Sequence, residues 1–337
     1  MADNFFSLTI GEEYITIVDG KEKNNFLLID NLVKINNQPI FYNSDLEKTQ
    51  EEVAEKIRQA VLNLEINKKN VNIIIPDSIT YNQILKMPNL NEKELISAIK
   101  YQADQFVPIP INEANIDLEI IDENKQENKL LILIVAAHKT IVQKIQNTIE
   151  LAGLIPDSIE TEISANLRFF NSFSQQLVNK SAKNYLLVNL DLHSSLLTLI
   201  DNEKNIPIKN HQIPLGYQLF LKELMINGNI DTNKARTILQ EYLPNHQSSL
   251  PVETIIDPIL KEFTNEIKRF IDLTTNPQII IINYGASFPA LPILISNSLN
   301  LKSTVIDPTS IIKAKFDINT IKSDLPFFIS SFGGNLR

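Results

Sequence analysis

Three sets of residues in this chain have the types needed for chemistry. His193 stands directly before Ser194 and Ser195, as a general base beside a hydroxyl nucleophile would. Glu92, Glu94, Asp117 and Glu119 bring four carboxylates into one short stretch, as acid/base catalysis requires. His138, His193, His211 and His246 are the imidazoles available to a metal. None of the three reads as a site. The serines lack a Gly-x-Ser-x-Gly elbow and an orienting acid. The histidines have no metal-ligand spacing and read as surface or strand-end residues. With no cysteine in the chain, thiolate ligands, thiolate nucleophiles and disulfides are all excluded.

The carboxylates are explained by the elements around them. Between Lys86 and Ile120, Asn91 is placed to cap a helix and Glu94 to reach back to it, as in a capping box. Glu92 and Glu94 suit the positive end of the helix dipole. Leu95, Ile99, Ala103 and Phe106 recur on one face, and Pro108 and Pro110 end the helix. From Ala114 to Ile121, Ile116, Leu118 and Ile120 alternate with Asp117 and Glu119, the pattern of a half-buried strand with a wet acidic face.

The whole chain sets the frame. Its 337 residues exceed one ordinary core and predict two lobes, divided near residue 178, with an insertion at about 77–160 in the first. It is 43% hydrophobic and 21% charged, and no apolar run reaches the roughly 18 residues of a membrane span. Asp3 stands where a signal peptide would be basic, which points to the cytoplasm. A net charge of −9 without a basic patch argues against nucleic acid and against direct binding to an anionic membrane.

In chain order, Phe5–Ile10, Tyr14–Val18, Phe26–Ile29 and Pro39–Tyr42 read as a β-meander. A helix opened by Ser44 and Glu47 follows, with Leu46, Val53, Ile57, Val61 and Leu64 inward, then a buried strand at Val71–Ile75. Lys129–Ala137 is a further buried strand, Lys139–Ala152 a helix stopped by Gly153, and Thr161–Leu177 a connecting helix. Tyr185–Leu190, Leu196–Asp201 and Ile206–Ile213 repeat the meander, followed by helices at Tyr217–Ile226, Asp231–Leu243 and Val252–Leu273. Gln278–Ile282, a helix at Phe288–Asn297, Ser303–Ile306 and a closing helix at Ile321–Phe332 complete the second half. The halves read as structural duplicates, and the Phe327-Phe328 pair as core.

Met87-Pro88-Asn89-Leu90-Asn91-Glu92-Lys93-Glu94-Leu95, then Ala98-Ile99, Val107-Pro108-Ile109-Pro110 and Glu113, resembles the insertion motif of the PilM family, actin-like assembly proteins of type IV pili. Ile132 to Glu162 is similar to that family's next strand, helix and Ala-Gly-Leu turn. The resemblance implies an α/β, actin-like (ribonuclease H-like, duplicated) two-lobed fold with a small α+β insertion in the first lobe. It implies a nucleotide held between two glycine-containing hairpins, each with an aspartate for magnesium or water, and a Gly-Gly turn at the adenosine.

Here those motifs are altered. Asp-Ile-Gly of the first hairpin is Thr9-Ile10-Gly11, and that of the second is Asn189-Leu190-Asp191. The glycine pair after the meander is Gly216-Tyr217, and the adenosine turn reads Asn283-Tyr284-Gly285-Ala286. If Asp191 replaced Asn189 as metal ligand, its carboxylate would lie about 7 Å along the strand, with no glycine near to admit phosphate. The implied cofactor site is therefore a degenerate one at Thr9, Gly11, Asn189, Asp191, Gly216, Tyr284 and Gly285, where ATP and magnesium are not required. No catalytic residue and no metal site is assigned.

Leu95, Ile99 and Phe106 read equally as core of the insertion alone; the resemblance further implies a groove, formed with the exposed edge of this helix, that receives the cytoplasmic tail of a PilN-like inner-membrane protein, with Leu95, Ile99, Phe106, Pro108 and Pro110 as contact candidates. The expected role is a cytoplasmic scaffold at the inner face of the membrane, held there through its partner and open to homo-oligomerisation. Alternatives are an active ATPase with divergent metal ligands, or an adaptor of type II secretion (GspL-like) or cell division (FtsA-like).

Overall fold

Residues 5–101, 108–179, 181–244, 250–272 and 275–337 are described by a computed structural model. Contacts divide the chain into two compact units.

The first unit comprises Met1–Ser172 with Ile311–Asp317 and Phe328–Arg337. Its strands are β1 (Phe5–Ile10), β2 (Tyr14–Lys23), β3 (Phe26–Asn36), β4 (Asn70–Ile75), β5 (Tyr81–Pro88), β6 (Ala114–Asn124), β7 (Lys129–His138) and β8 (Ile155–Thr161). Its helices are α1 (Glu47–Asn63), α2 (Glu92–Tyr101), α3 (Lys139–Leu151) and α4 (Glu162–Leu177), and the division between units falls inside α4. The main sheet runs β14-β3-β2-β1-β4-β8, where β14 is Ile312–Ala314. The period-two alternation of β1, β2 and β4 sorts its two faces. Phe6, Leu8, Ile10, Ile15, Ile17, Val71 and Ile73 meet Val53 and Ile57 of α1 and Ile145 and Ile149 of α3. The opposite face carries Ser7, Thr9, Thr16 and Asn72, which bond to the last helix of the chain (Ile329–Gly334) and Asn335.

The insertion is a three-stranded antiparallel sheet, β5-β7-β6. Leu95 and Ile99 of α2 close one face of it over Leu130, Ile132, Ile134 and Ala136. The expected capping box is present: Asn91 N donates to Glu94 Oε2 at 3.0 Å, and Glu94 N to Asn91 Oδ1 at 3.1 Å. Ala103 and Phe106 lie outside the described residues.

The second unit, Phe173–Ser310 with Ile318–Phe327, repeats the plan. β9 (Asn184–Leu190), β10 (Ser195–Asp201), β11 (Ile206–Ile213), β12 (Gln278–Asn283) and β13 (Ser303–Val305) run in the order β11-β10-β9-β12-β13. This reproduces β3-β2-β1-β4-β8, with antiparallel pairs first and parallel pairs after. Helices α5 (Tyr217–Gly228), α6 (Thr232–Glu241), α7 (Val252–Phe270) and α8 (Leu291–Leu299) cover it, and α9 is Ile329–Gly334 in the first unit.

Four sequence expectations change. Pro39–Tyr42 forms turns closed by Phe41 N to Gln38 O and Asn43 N to Ile40 O, since a proline-led segment has no ladder donor at its start. Leu46, without a side-chain cap, precedes α1, and Ser44 instead bonds Thr49. The closing helix is a 3-10 run at Ile318–Phe328 followed by α9. The lobes are not two consecutive halves: β14 pairs with β3, and α9 packs on β1, β2 and β4, so both return to the first unit.

Candidate functional site

The candidate nucleotide residues are described unit by unit. In the first, Thr9 is buried at the end of β1, and its hydroxyl meets Ser331 Oγ at 2.7 Å, as does Thr16. The position expected of a metal-ligating carboxylate is thus absorbed into a hydroxyl network beneath the sheet. Gly11 donates its amide to Tyr14 O at 2.9 Å, and its carbonyl accepts from Asn37 Nδ2 at 2.6 Å. Two carboxylates, Glu12 and Glu13, follow it in the turn. Burial pushes the Glu12 carboxyl above its ordinary value, the nearby Ser78 hydroxyl opposes this, and the Glu13 charge adds to it.

In the second unit, Asn283 ends β12 and Asn189 is next to last in the adjacent β9, with Asn283 Nδ2 donating to Asn189 Oδ1 at 3.2 Å. Asp191 is 4% exposed, and Leu192 N donates to its Oδ1 at 2.7 Å. The β9–β10 turn folds onto the start of α5, where Tyr217 N donates to Asp191 O and Gln218 N to Leu192 O, each at 2.9 Å. Gly216 permits this approach: a Cβ there would meet Leu192 O and His193 C at 2.5 Å. A Cβ at Gly285 would meet Ile281 Cγ2 at 2.6 Å, so this glycine serves packing on β12. Tyr217 and Tyr284 stack with ring centroids 5.2 Å apart and an interplanar angle of 26°. Phe327 meets Tyr284 edge-on at 5.1 Å.

The other candidates resolve simply. Ser195 is fully buried and donates to Leu215 O at 2.6 Å, which leaves it no nucleophilic role. His193 and His211 are exposed, and His246 lies outside the described residues. Among the described residues no three His, Asp or Glu side chains gather as a metal would need.

The contact candidates on the insertion divide by burial. Leu95 and Ile99, 0% and 1% exposed, pack in the insertion's own core, the first of the two roles expected of them. Pro108 and Pro110 are exposed, and Phe106 lies outside the described residues. One concavity of this unit is on the opposite face of the small sheet, a groove of about 430 Å³. Asn115, Asp117 and Glu119 of β6 and Leu133, Val135 and Ala137 of β7 line one side, and Ser158–Thr161 of β8 and Ser164 and Arg168 of α4 the other. Among the described residues β6 and β8 are the outer strands of their sheets, and both contribute residues to the groove.

Arg168 is fixed in place there. It binds Glu160 through Nη2–Oε2 at 2.6 Å and Nη1–Oε1 at 3.1 Å, and donates from Nη1 to Gly333 O at 2.9 Å. Desolvation raises the Glu119 carboxyl above its ordinary value, the Arg168 charge opposes this, and Glu160 and Asp117 add to it. Glu119 stays exposed as a residue, so this concerns its protonation rather than folding energy. Sequence reading assigned Asp117 and Glu119 to a solvated face. That β8 would stand opposite was hidden, since Ile-Pro-Asp-Ser carries no strand alternation of its own.

Comparison with solved structures places this architecture. A structure described as the PilM-PilN type IV pilus biogenesis complex superposes with a TM-score of 0.83 at 17% identity, covering 99% of each chain. The ethanolamine utilization protein EutJ of Carboxydothermus hydrogenoformans matches at 0.56 and 11% identity, over 98% of this chain and 88% of that one. A Bacteroides thetaiotaomicron protein with an actin-like ATPase fold matches at 0.50 and 8% identity, over 90% and 91%. These likenesses show the actin-like fold. The family model described as type IV pilus assembly protein PilM matches residues 7–337, nearly the whole chain, and the chain belongs to that family.

Proposed function

We propose that this chain is an adaptor of a type IV pilus assembly machine, and that its first-unit groove takes up the short cytoplasmic tail of a PilN-like inner-membrane protein. The observation that carries the reading is the groove lined by β6, β7 and β8, of which β6 and β8 are outer strands of their sheets among the described residues. An extended segment laid there can complete either ladder with main-chain hydrogen bonds, while alternate side chains enter the apolar floor at Leu133 and Val135. The likeness to a chain solved in a PilM-PilN complex supports the same partner class. Among the described residues no helix is long and apolar enough to cross a membrane, so attachment through such a tail suits the reading.

On this reading Leu95 and Ile99 hold the insertion together, and Val135, Asp117 and Glu119 meet the partner. Val135 is half-buried in the groove and can be changed without emptying the core. Val135→Glu should abolish capture of the full chain by an immobilised peptide of the PilN-like tail, with the circular dichroism spectrum unchanged. Undiminished capture by that variant would place the tail elsewhere.

A further inference from the structure

We infer that the second unit does not accept a nucleotide, because Tyr217 and Tyr284 occupy the space that glycine-rich turns would have to leave open. This concerns the other unit and stands apart from the groove reading.

Three features close the half-site. The rings of Tyr217 and Tyr284 stack on each other, 1% and 3% exposed, and Phe327 holds Tyr284 from its edge. A purine could stack on Tyr284 only by displacing Tyr217 or Phe327 from a filled contact. Next, a helix N-terminus binds phosphate through its unbonded first amides. In α5 the amides of Tyr217 and Gln218 already donate to Asp191 O and Leu192 O, with Gly216 pressed against the same turn. Finally, the buried Asp191 side chain sits on that turn and its Oδ1 already takes the Leu192 amide, one more donor that a phosphate would need. Each replaced motif position is thus engaged within the unit: ring against ring, amide against carbonyl, asparagine against asparagine.

A ligand that binds only the folded state must raise the unfolding temperature. The test is thermal unfolding of the full chain with millimolar Mg-ATP, Mg-ADP or Mg-GTP, against magnesium tripolyphosphate. The inference predicts no saturable rise with any nucleotide. A concentration-dependent, saturable rise specific to one of them would overturn it. A second arm removes the stack: Tyr284→Ala, shown by circular dichroism to be folded, should gain saturable binding of adenosine or indole that the natural chain lacks. A folded variant that binds neither would show that the rings are not what closes the pocket. The wild-type titration decides the matter even where the variant fails to fold.

Discussion

Gly333→Ala tests whether the C-terminal helix is built into the first unit and supports the groove. A Cβ at this position would lie 1.9 Å from Ala165 O and 2.6 Å from Ala165 C, both backbone atoms of α4. That is about 1.5 Å short of ordinary contact, so α9 must move away from α4, since a close-packed interior cannot absorb such an overlap locally. The movement pulls on bonds that hold α9 beneath the sheet: Ser7 Oγ to Ser331 O at 2.6 Å, Thr9 and Thr16 to Ser331 Oγ at 2.7 Å, and Asn335 Nδ2 to Val18 O at 3.1 Å. Overpacking costs about 1–3 kcal/mol, and each buried bond lost adds roughly 1 kcal/mol. With two bonds broken the expected destabilisation is about 3–5 kcal/mol. The same shift removes the carbonyl that Arg168 Nη1 holds at 2.9 Å, so tail capture should weaken as well. Urea unfolding followed by circular dichroism measures the first effect, and peptide titration below the transition measures the second. A destabilisation under about 1 kcal/mol would refute the reasoning, because it would mean that α9 is free to shift.

Leu95→Ala should cost about 2–5 kcal/mol of insertion stability, read as faster amide exchange in β7. Full stability with lost tail capture would return Leu95 to a contact role. Asn91→Ala removes one half of the capping box and should cost about 1 kcal/mol, confined to exchange in α2. Glu12 titrates in the fold above its ordinary value because burial disfavours its charge. Its stabilising protonated form is complete below the unfolded pKa and lost as pH rises through the folded one. Glu12→Gln should therefore raise the urea midpoint at neutral pH and leave it unchanged in acid below the carboxylate range. An unchanged midpoint at neutral pH would contradict the burial.

Elements whose signal is local were legible in the sequence. The Asn91–Glu94 capping box and the first three strands of each meander depend on neighbours a few residues apart, and they appear in the fold. What was hidden depends on distant partners. β5 carries Asn82, Gln83 and Lys86 and becomes a strand only by pairing with β7, and β8 is an outer strand beginning Ile-Pro-Asp. β14 has three residues and no pattern of its own. Thr9 and Ser331 are 322 residues apart, and no periodicity links them. The sequence showed that Tyr217 and Tyr284 replace small residues of the resembled motif, but not that the two rings stack. Leu95 and Ile99 were correctly placed on the inward face of α2, yet that face is the insertion's core, and the groove lies on the other side of the sheet.

Calorimetric titration of the PilN-like tail peptide into the full chain, with and without Mg-ATP, tests most directly whether this protein is an adaptor independent of nucleotide. Saturable binding with the same dissociation constant in both conditions, abolished by Val135→Glu, is the predicted result. Binding that requires Mg-ATP, or that survives the groove substitution unchanged, would contradict it.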